Sequence, residues 1–133
     1  MATQSLFLRG RVLWELARYD LLFALRGWRG VRPNRGGQLQ ASKLRRSSED
    51  AGELPSAIAA AVRDAAPFYW KPVRCLQRSM ITARMMHRHG IRAEVVIGYR
   101  PIPFFSHAWV EVGGRVVNDS PTYQMRLQVL ERW

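Results

Sequence analysis

The chain predicts an α+β fold, and three observations carry that prediction. Apolar residues recur at helical spacing up to His89-Gly90; residues rich in β-formers crowd into 93–119; and the later segments follow one another through short turns with no helix between them. Helices first and strands after, joined tightly, call for an antiparallel sheet with helices packed on it. At 133 residues, 47% of them apolar, the chain is long enough for one domain with a real core. We divide it into an N-terminal amphipathic helix with a basic loop (residues 1–48) and a core (residues 49–133).

Residues 5–29 read as the first helix. Leu6, Leu13, Leu16 and Phe23 recur near helical spacing with charges between them, and Gly27-Trp28-Arg29-Gly30 ends the pattern. This helix either docks on the core or offers Trp14, Phe23 and Trp28, beside arginines, to a partner or a membrane surface. Residues 30–48 are dominated by Gly, Pro, Ser and Arg and read as a loop. A second helix spans 54–66, with Pro55 in its first turn and Pro67 stopping it. After the aromatic cluster Phe68-Tyr69-Trp70, a third runs from Arg74 to His89, with Gly90 as its C-terminal cap. Strands follow at 93–99, 106–112 and 115–119, the last two joined by Gly113-Gly114.

Charge narrows the partners. The net charge is +11. Residues 1–48 hold ten basic and two acidic residues, a net of +8, which suits an anionic partner such as an acidic peptide, a protein or a lipid surface. No nucleic-acid-binding motif accompanies the charge, so we expect no nucleic-acid partner. One cysteine makes no internal disulfide, and with three histidines the chain is poor in zinc ligands. We expect no metal and no cofactor. No stretch reaches the roughly 18–20 apolar residues of a membrane span, and charges at Arg9, Arg11, Glu15, Arg18 and Asp20 break any signal-peptide core. The reading is cytoplasmic.

The chemistry concentrates on the lone thiol. Cys75 falls in the first turn of its helix, where unpaired N–H groups and the helix dipole favour a thiolate and could hold an oxyanion. His87 lies on the same helix about 18 Å along its axis, and His89 further still; both are out of reach. His107 opens a strand and is the viable base. Asp119 would orient it by accepting its second N–H. That pairing sets a register condition. A two-residue Gly113-Gly114 turn pairs Val112 with Arg115 and His107 with Ser120, which turns Asp119 to the other face and makes Asn118 the alternative. A three-residue loop, Val112-Gly113-Gly114 with Gly114 left-handed, pairs His107 with Asp119 on one face. We expect the three-residue loop or an equivalent bulge. Trp109 and Glu111 share the face of His107; Trp109 packs and shields the site, and Glu111 pairs with Arg115. Trp70, Phe104, Phe105 and Trp109 are candidate substrate-binding residues. Taken alone, the cysteine also fits a small buried hydrophobe, which is the commoner role for a lone thiol.

These residues resemble a known family. Cys75-Leu76-x-Arg78-Ser79, Gly90-Ile91-x-Ala93-x-x-Val96-Ile97-Gly98, His107-Ala108-Trp109-Val110-Glu111-Val112 and Val117-Asn118-Asp119 resemble the transglutaminase-like cysteine peptidases. More narrowly, they resemble the stand-alone leader peptidases of lasso peptide biosynthesis. Leu13-Trp14-Glu15-Leu16-x-Arg18-Tyr19-Asp20 resembles the N-terminal segment of those peptidases. The resemblance implies a papain-like or transglutaminase-like core and a Cys75, His107, Asp119 triad that removes the leader from a ribosomally made precursor. It implies a separate leader-recognition protein and an ATP-using macrolactam cyclase as partners, and a threonine next to last in the leader. The short segment between His107 and Asp119 favours a small peptidase over a protein-crosslinking transglutaminase. The rival readings are an amine-transferring relative with the same triad and a non-enzymatic basic interaction protein.

Overall fold

The computed structural model describes residues 2–31 and 54–133. Most of the basic loop, and the boundary placed at 48/49, lie outside those residues. Helix α1 (Ala2–Arg26) leads through Gly27 into the short α2 (Trp28–Val31). Gly27 has φ of +62° and donates its N–H to Phe23 O at 2.8 Å, a left-handed stop that side-chain-bearing residues adopt at a cost. Helix α3 (Leu54–Ala65) runs into a 3₁₀ turn (Ala66–Phe68), and α4 (Cys75–Arg88) follows. Helix α4 ends where the glycine rule places it. Gly90 N–H reaches His87 O and Ile91 N–H reaches Met86 O, the paired bonds of a Schellman motif, with buried Met86 and Ile91 as its apolar contact.

The sheet is antiparallel with strand order β3-β2-β1-β4. It comprises β1 (Glu94–Arg100), β2 (Phe105–Val112), β3 (Arg115–Val116) and β4 (Gln128–Arg132). A short helix α5 (Thr122–Arg126) precedes β4. Periodicity does not reveal α5 or β4: both are short, and neither has a buried residue to mark an apolar face. The sheet buries both faces. Val95 and Val110, opposite one another, join Val12, Leu16, Ile58, Val62, Met80 and Met86 in the main core. Each such side chain contributes roughly 1.5–3 kcal/mol by burial. Val96 and Trp109 face the other way and pack with Leu127.

Helix α1 is therefore docked on the core, the first of the two roles left open for it. Val12, Glu15 and Leu16 are fully buried. Glu15 meets Arg84 at 3.0 Å and Arg88 at 3.4 Å on α4, and Arg11 at 3.6 Å and Arg18 at 3.8 Å on its own helix. Four guanidiniums around one carboxylate compensate the removal of that charge from water. Burial and the neighbouring Arg84 cation push the Arg18 pKa down. The opposite side of α1 leaves Phe7, Trp14, Leu21 and Leu25 exposed. Among the described residues, no helix is long and apolar enough to cross a membrane.

The expected three-residue hairpin loop does not form. Val112 pairs with Arg115 and Glu111 with Val116, the plain two-residue register. Gly113 and Gly114 both have positive φ, +58° and +78°, as a type I′ turn requires. Arg115 therefore sits opposite Val112 rather than Glu111, and the expected Glu111–Arg115 pair is replaced. Buried Glu111 instead bonds Arg132 and accepts from Gln124 Nε2 at 2.6 Å and Trp109 Nε1 at 3.3 Å.

Candidate active site

The register expectation fails, yet Asp119 still reaches His107: the Asp119 carboxylate lies 2.6 Å from His107 Nε2. The reason is that β3 is only two residues long. Val117 N–H still donates to Val110 O at 3.0 Å, but the return bond from Val110 N–H goes to the Asn118 side chain at 2.7 Å. The backbone leaves the ladder there, and strand alternation no longer governs where Asp119 points. Asn118, the alternative orienter of His107, instead caps the end of the hairpin. Its Nδ2 also donates to the buried Ser79 hydroxyl at 3.2 Å, fastening the hairpin to α4.

Asp119 has three partners. His107 Nε2 and Arg78 Nη2, the latter at 3.1 Å, meet at Oδ2, and Ser120 N–H donates to Oδ1 at 2.8 Å. The segments quoted for the resemblance thus interlock. Arg78 and Ser79 on α4 grip Asp119 and Asn118 respectively, and Arg78 lies three residues, one helical turn, after Cys75. Nothing in the helical spacing marks Arg78 and Ser79 for these roles, because a helix surface does not announce which loop it will meet.

His107 pairs with Gly98 and shares the sheet face of Trp109, away from the helical core. Pairing with β3 covers β2 only near Glu111 and Val112, so β2 has an open edge at His107. Asp119 stands at that edge and reaches both the imidazole and Arg78. The ring of Tyr123 packs 4.1 Å from His107, centre to centre, and holds the imidazole from the other side. With Nε2 engaged by a carboxylate, the proton belongs on Nε2 and the lone pair on Nδ1, a tautomer assigned from the hydrogen bond.

Cys75 is the first residue of α4 and is half-buried. Arg74 precedes it in an extended conformation and places no side-chain cap on the helix, so the first-turn N–H groups carry no such partner. Among the described residues no hydrogen bond joins the Cys75 thiol to His107; the tie between them runs through Arg78 and Asp119. His87, set aside on distance, instead donates its Nε2–H to Ala93 O, just before β1, at 2.7 Å.

The candidate substrate contacts divide. Trp70 is 80% exposed and, with Tyr69, Lys71, Pro72 and Arg78, lines a cavity of about 460 Å³ beside the Cys75 helix end. Phe105 is 38% exposed and, with Arg100 and the Tyr123 ring that packs on His107, lines one of about 420 Å³. Phe104 is 74% exposed in the turn before β2. Trp109 is corrected: it is fully buried between Val96 and Leu127, so a substrate cannot touch it. Among the described residues no three His, Cys, Asp or Glu side chains gather as metal ligands.

The sequence has counterparts among known proteins. A stretch of 56 residues is 46% identical to the microcin J25-processing protein McjB of Escherichia coli. That match covers 42% of this chain and 27% of McjB, so the chain spans about a quarter of the length of that relative. No solved structure matches the chain. Residues 16–132 match the profile of the Transglutaminase-like superfamily. With that match over most of its length, and with an antiparallel sheet packed on helices behind the cysteine, the chain belongs to the transglutaminase-like superfamily.

Proposed function

We propose that the protein is a cysteine peptidase that removes the leader from a ribosomally made lasso peptide precursor. The observation that carries this reading is the chain of contacts Arg78–Asp119–His107, which joins an oriented imidazole to the helix that Cys75 opens. The likeness to a microcin J25-processing protein supports the substrate class.

In this reading Cys75 gives its proton to His107 Nδ1, and the thiolate attacks the last carbonyl of the leader. First-turn N–H groups of α4 stabilise the oxyanion. His107 then returns the proton to the departing amine of the core peptide, leaving a thioester. Water, deprotonated by His107, attacks the thioester; leader acid leaves and the thiol is restored. Asp119 holds the ring and steadies the imidazolium without itself taking the proton. The thiol and imidazole come into hydrogen-bond contact when precursor binds, as catalytic bonds that are loose in the empty enzyme tighten in the complex. A separate leader-recognition protein presents the precursor, and an ATP-dependent cyclase closes the released core. The work is cytoplasmic.

The test is cleavage of the precursor by the full chain with its recognition protein, read by mass spectrometry. Cys75→Ala and His107→Ala are expected to abolish release of free leader acid. Retained cleavage in Cys75→Ala would sink the reading. Leader coupled to an added primary amine, in place of free acid, would point to the amine-transferring alternative.

A further inference from the structure

The Leu13–Asp20 segment of α1 carries a second acidic residue, Asp20, whose contacts differ in kind from those of Glu15. Glu15 fastens α1 to Arg84 and Arg88, in the C-terminal half of α4. Asp20 reaches the opposite end. Its Oδ2 accepts from the Tyr69 hydroxyl, and its Oδ1 meets Lys71 Nζ at 2.7 Å and Gln77 Nε2 at 3.1 Å. Tyr69 and Lys71 lie in the segment that delivers the chain to Cys75; Gln77 is the third residue of α4, two after Cys75. One carboxylate thus holds side chains on both sides of the thiol. Gln77 is buried and also donates to Leu16 O at 3.4 Å, so the first turn of α4 is tied twice to α1.

We infer that Asp20 is a positioning residue for Cys75, acting through Tyr69, Lys71 and Gln77. The inference rests on Cys75 being the nucleophile. The segment that approaches Cys75 bends at Tyr69–Lys71, is extended at Arg74, and belongs to no strand whose ladder could hold it. A network anchored in α1 replaces that ladder. The first turn of α4 must be formed for its N–H groups to stabilise a thiolate, and Gln77 is the side chain through which α1 holds it. The N-terminal helix thereby becomes part of the active-site scaffold, 55 residues before the thiol in sequence.

The test compares Asp20→Ala, Asp20→Asn and Glu15→Gln in the full chain with its recognition protein, well below every melting midpoint. Two readouts are taken: the kcat and KM of precursor cleavage, and the rate of Cys75 alkylation by iodoacetamide at neutral pH. Asp20→Ala is expected to lower kcat about 10- to 100-fold, as small misplacements of a reacting group do, with KM within about twofold. Its alkylation slows about threefold or more. Asp20→Asn keeps one acceptor oxygen, for Gln77, and offers the Tyr69 hydroxyl an N–H in place of the other, and so restores most of both readouts. Glu15→Gln lowers the melting midpoint but leaves both readouts unchanged. Wild-type kcat and alkylation in Asp20→Ala, or equal losses in Glu15→Gln, overturn the inference. If Asp20→Ala does not fold, Tyr69→Phe combined with Lys71→Met removes two of the three bonds and is read the same way. Alkylation is independent of the substrate, so cleavage surviving in Cys75→Ala strikes the peptidase reading, whereas unaltered kcat and alkylation in Asp20→Ala strike only the role of Asp20.

Discussion

The Asn118 side chain accepts the Val110 amide N–H at 2.7 Å, where the Val117 carbonyl would stand if the hairpin ladder continued. This one substitution of a side chain for backbone ends the strand and frees Asp119 to turn toward His107. Asn118→Ala leaves a buried amide without its acceptor. The expected cost is about 1–3 kcal/mol in urea unfolding, with a fall in leader release that exceeds the loss of folded protein.

Arg78 and His107 share one carboxylate oxygen of Asp119. Asp119→Asn is expected to lower kcat about 100-fold or more, because the amide no longer enforces the Nε2-protonated ring. Arg78→Met has a smaller effect, about tenfold, through loss of position. In the double variant the two losses do not add, since both act on the same contact. Steady-state cleavage of the precursor by the four proteins checks this; full additivity would show that Arg78 acts elsewhere.

Gly98 sits opposite His107, against the Trp109 ring. A Cβ there would lie 2.5 Å from the ring edge and 2.8 Å from Leu127 Cβ. Neither neighbour is the free end of a flexible chain, so Gly98→Ala forces the core apart. We expect a loss of about 1–3 kcal/mol in chemical unfolding. A wild-type midpoint would mean that the ring relocates without cost.

Burial first, and then the bond to Asp20, hold the Tyr69 pKa above its ordinary value. The folded state therefore binds this proton more tightly than the unfolded chain. The associated stability is fully present below roughly pH 10 and is lost as pH rises through the higher folded value. Tyr69→Phe is expected to flatten the alkaline fall in melting midpoint. Part of that fall remains, because burial raises Tyr19 in the same direction. An unchanged alkaline limb in Tyr69→Phe would contradict this assignment.

Much of the fold was legible because its signals are local. Gly27 and Gly90 end helices at positive φ, Pro55 sits in the first turn of α3, and Gly113-Gly114 mark a tight hairpin. Periodicity placed Cys75 at a helix start and His107 in a strand, since both follow from spacing along one element. The helix rise also removed His87 and His89 from consideration.

What the sequence determined by itself was the set of elements and the chemical types at their ends, for these depend on neighbours within a turn or two. Tertiary structure decided how Asp119 reaches His107, which residues grip it, where Glu111 finds its cation, and why α1 carries Glu15 and Asp20. Each of those contacts joins residues 12 to 73 positions apart, except Ser120 beside Asp119 and the closer pairs within α1, and side-chain bonds of that span follow no periodicity. The hairpin shows the difference most plainly. Alternation along a strand predicts which way a residue points only while the ladder lasts, and its end at Val117 was set by a side chain that found an amide across the turn.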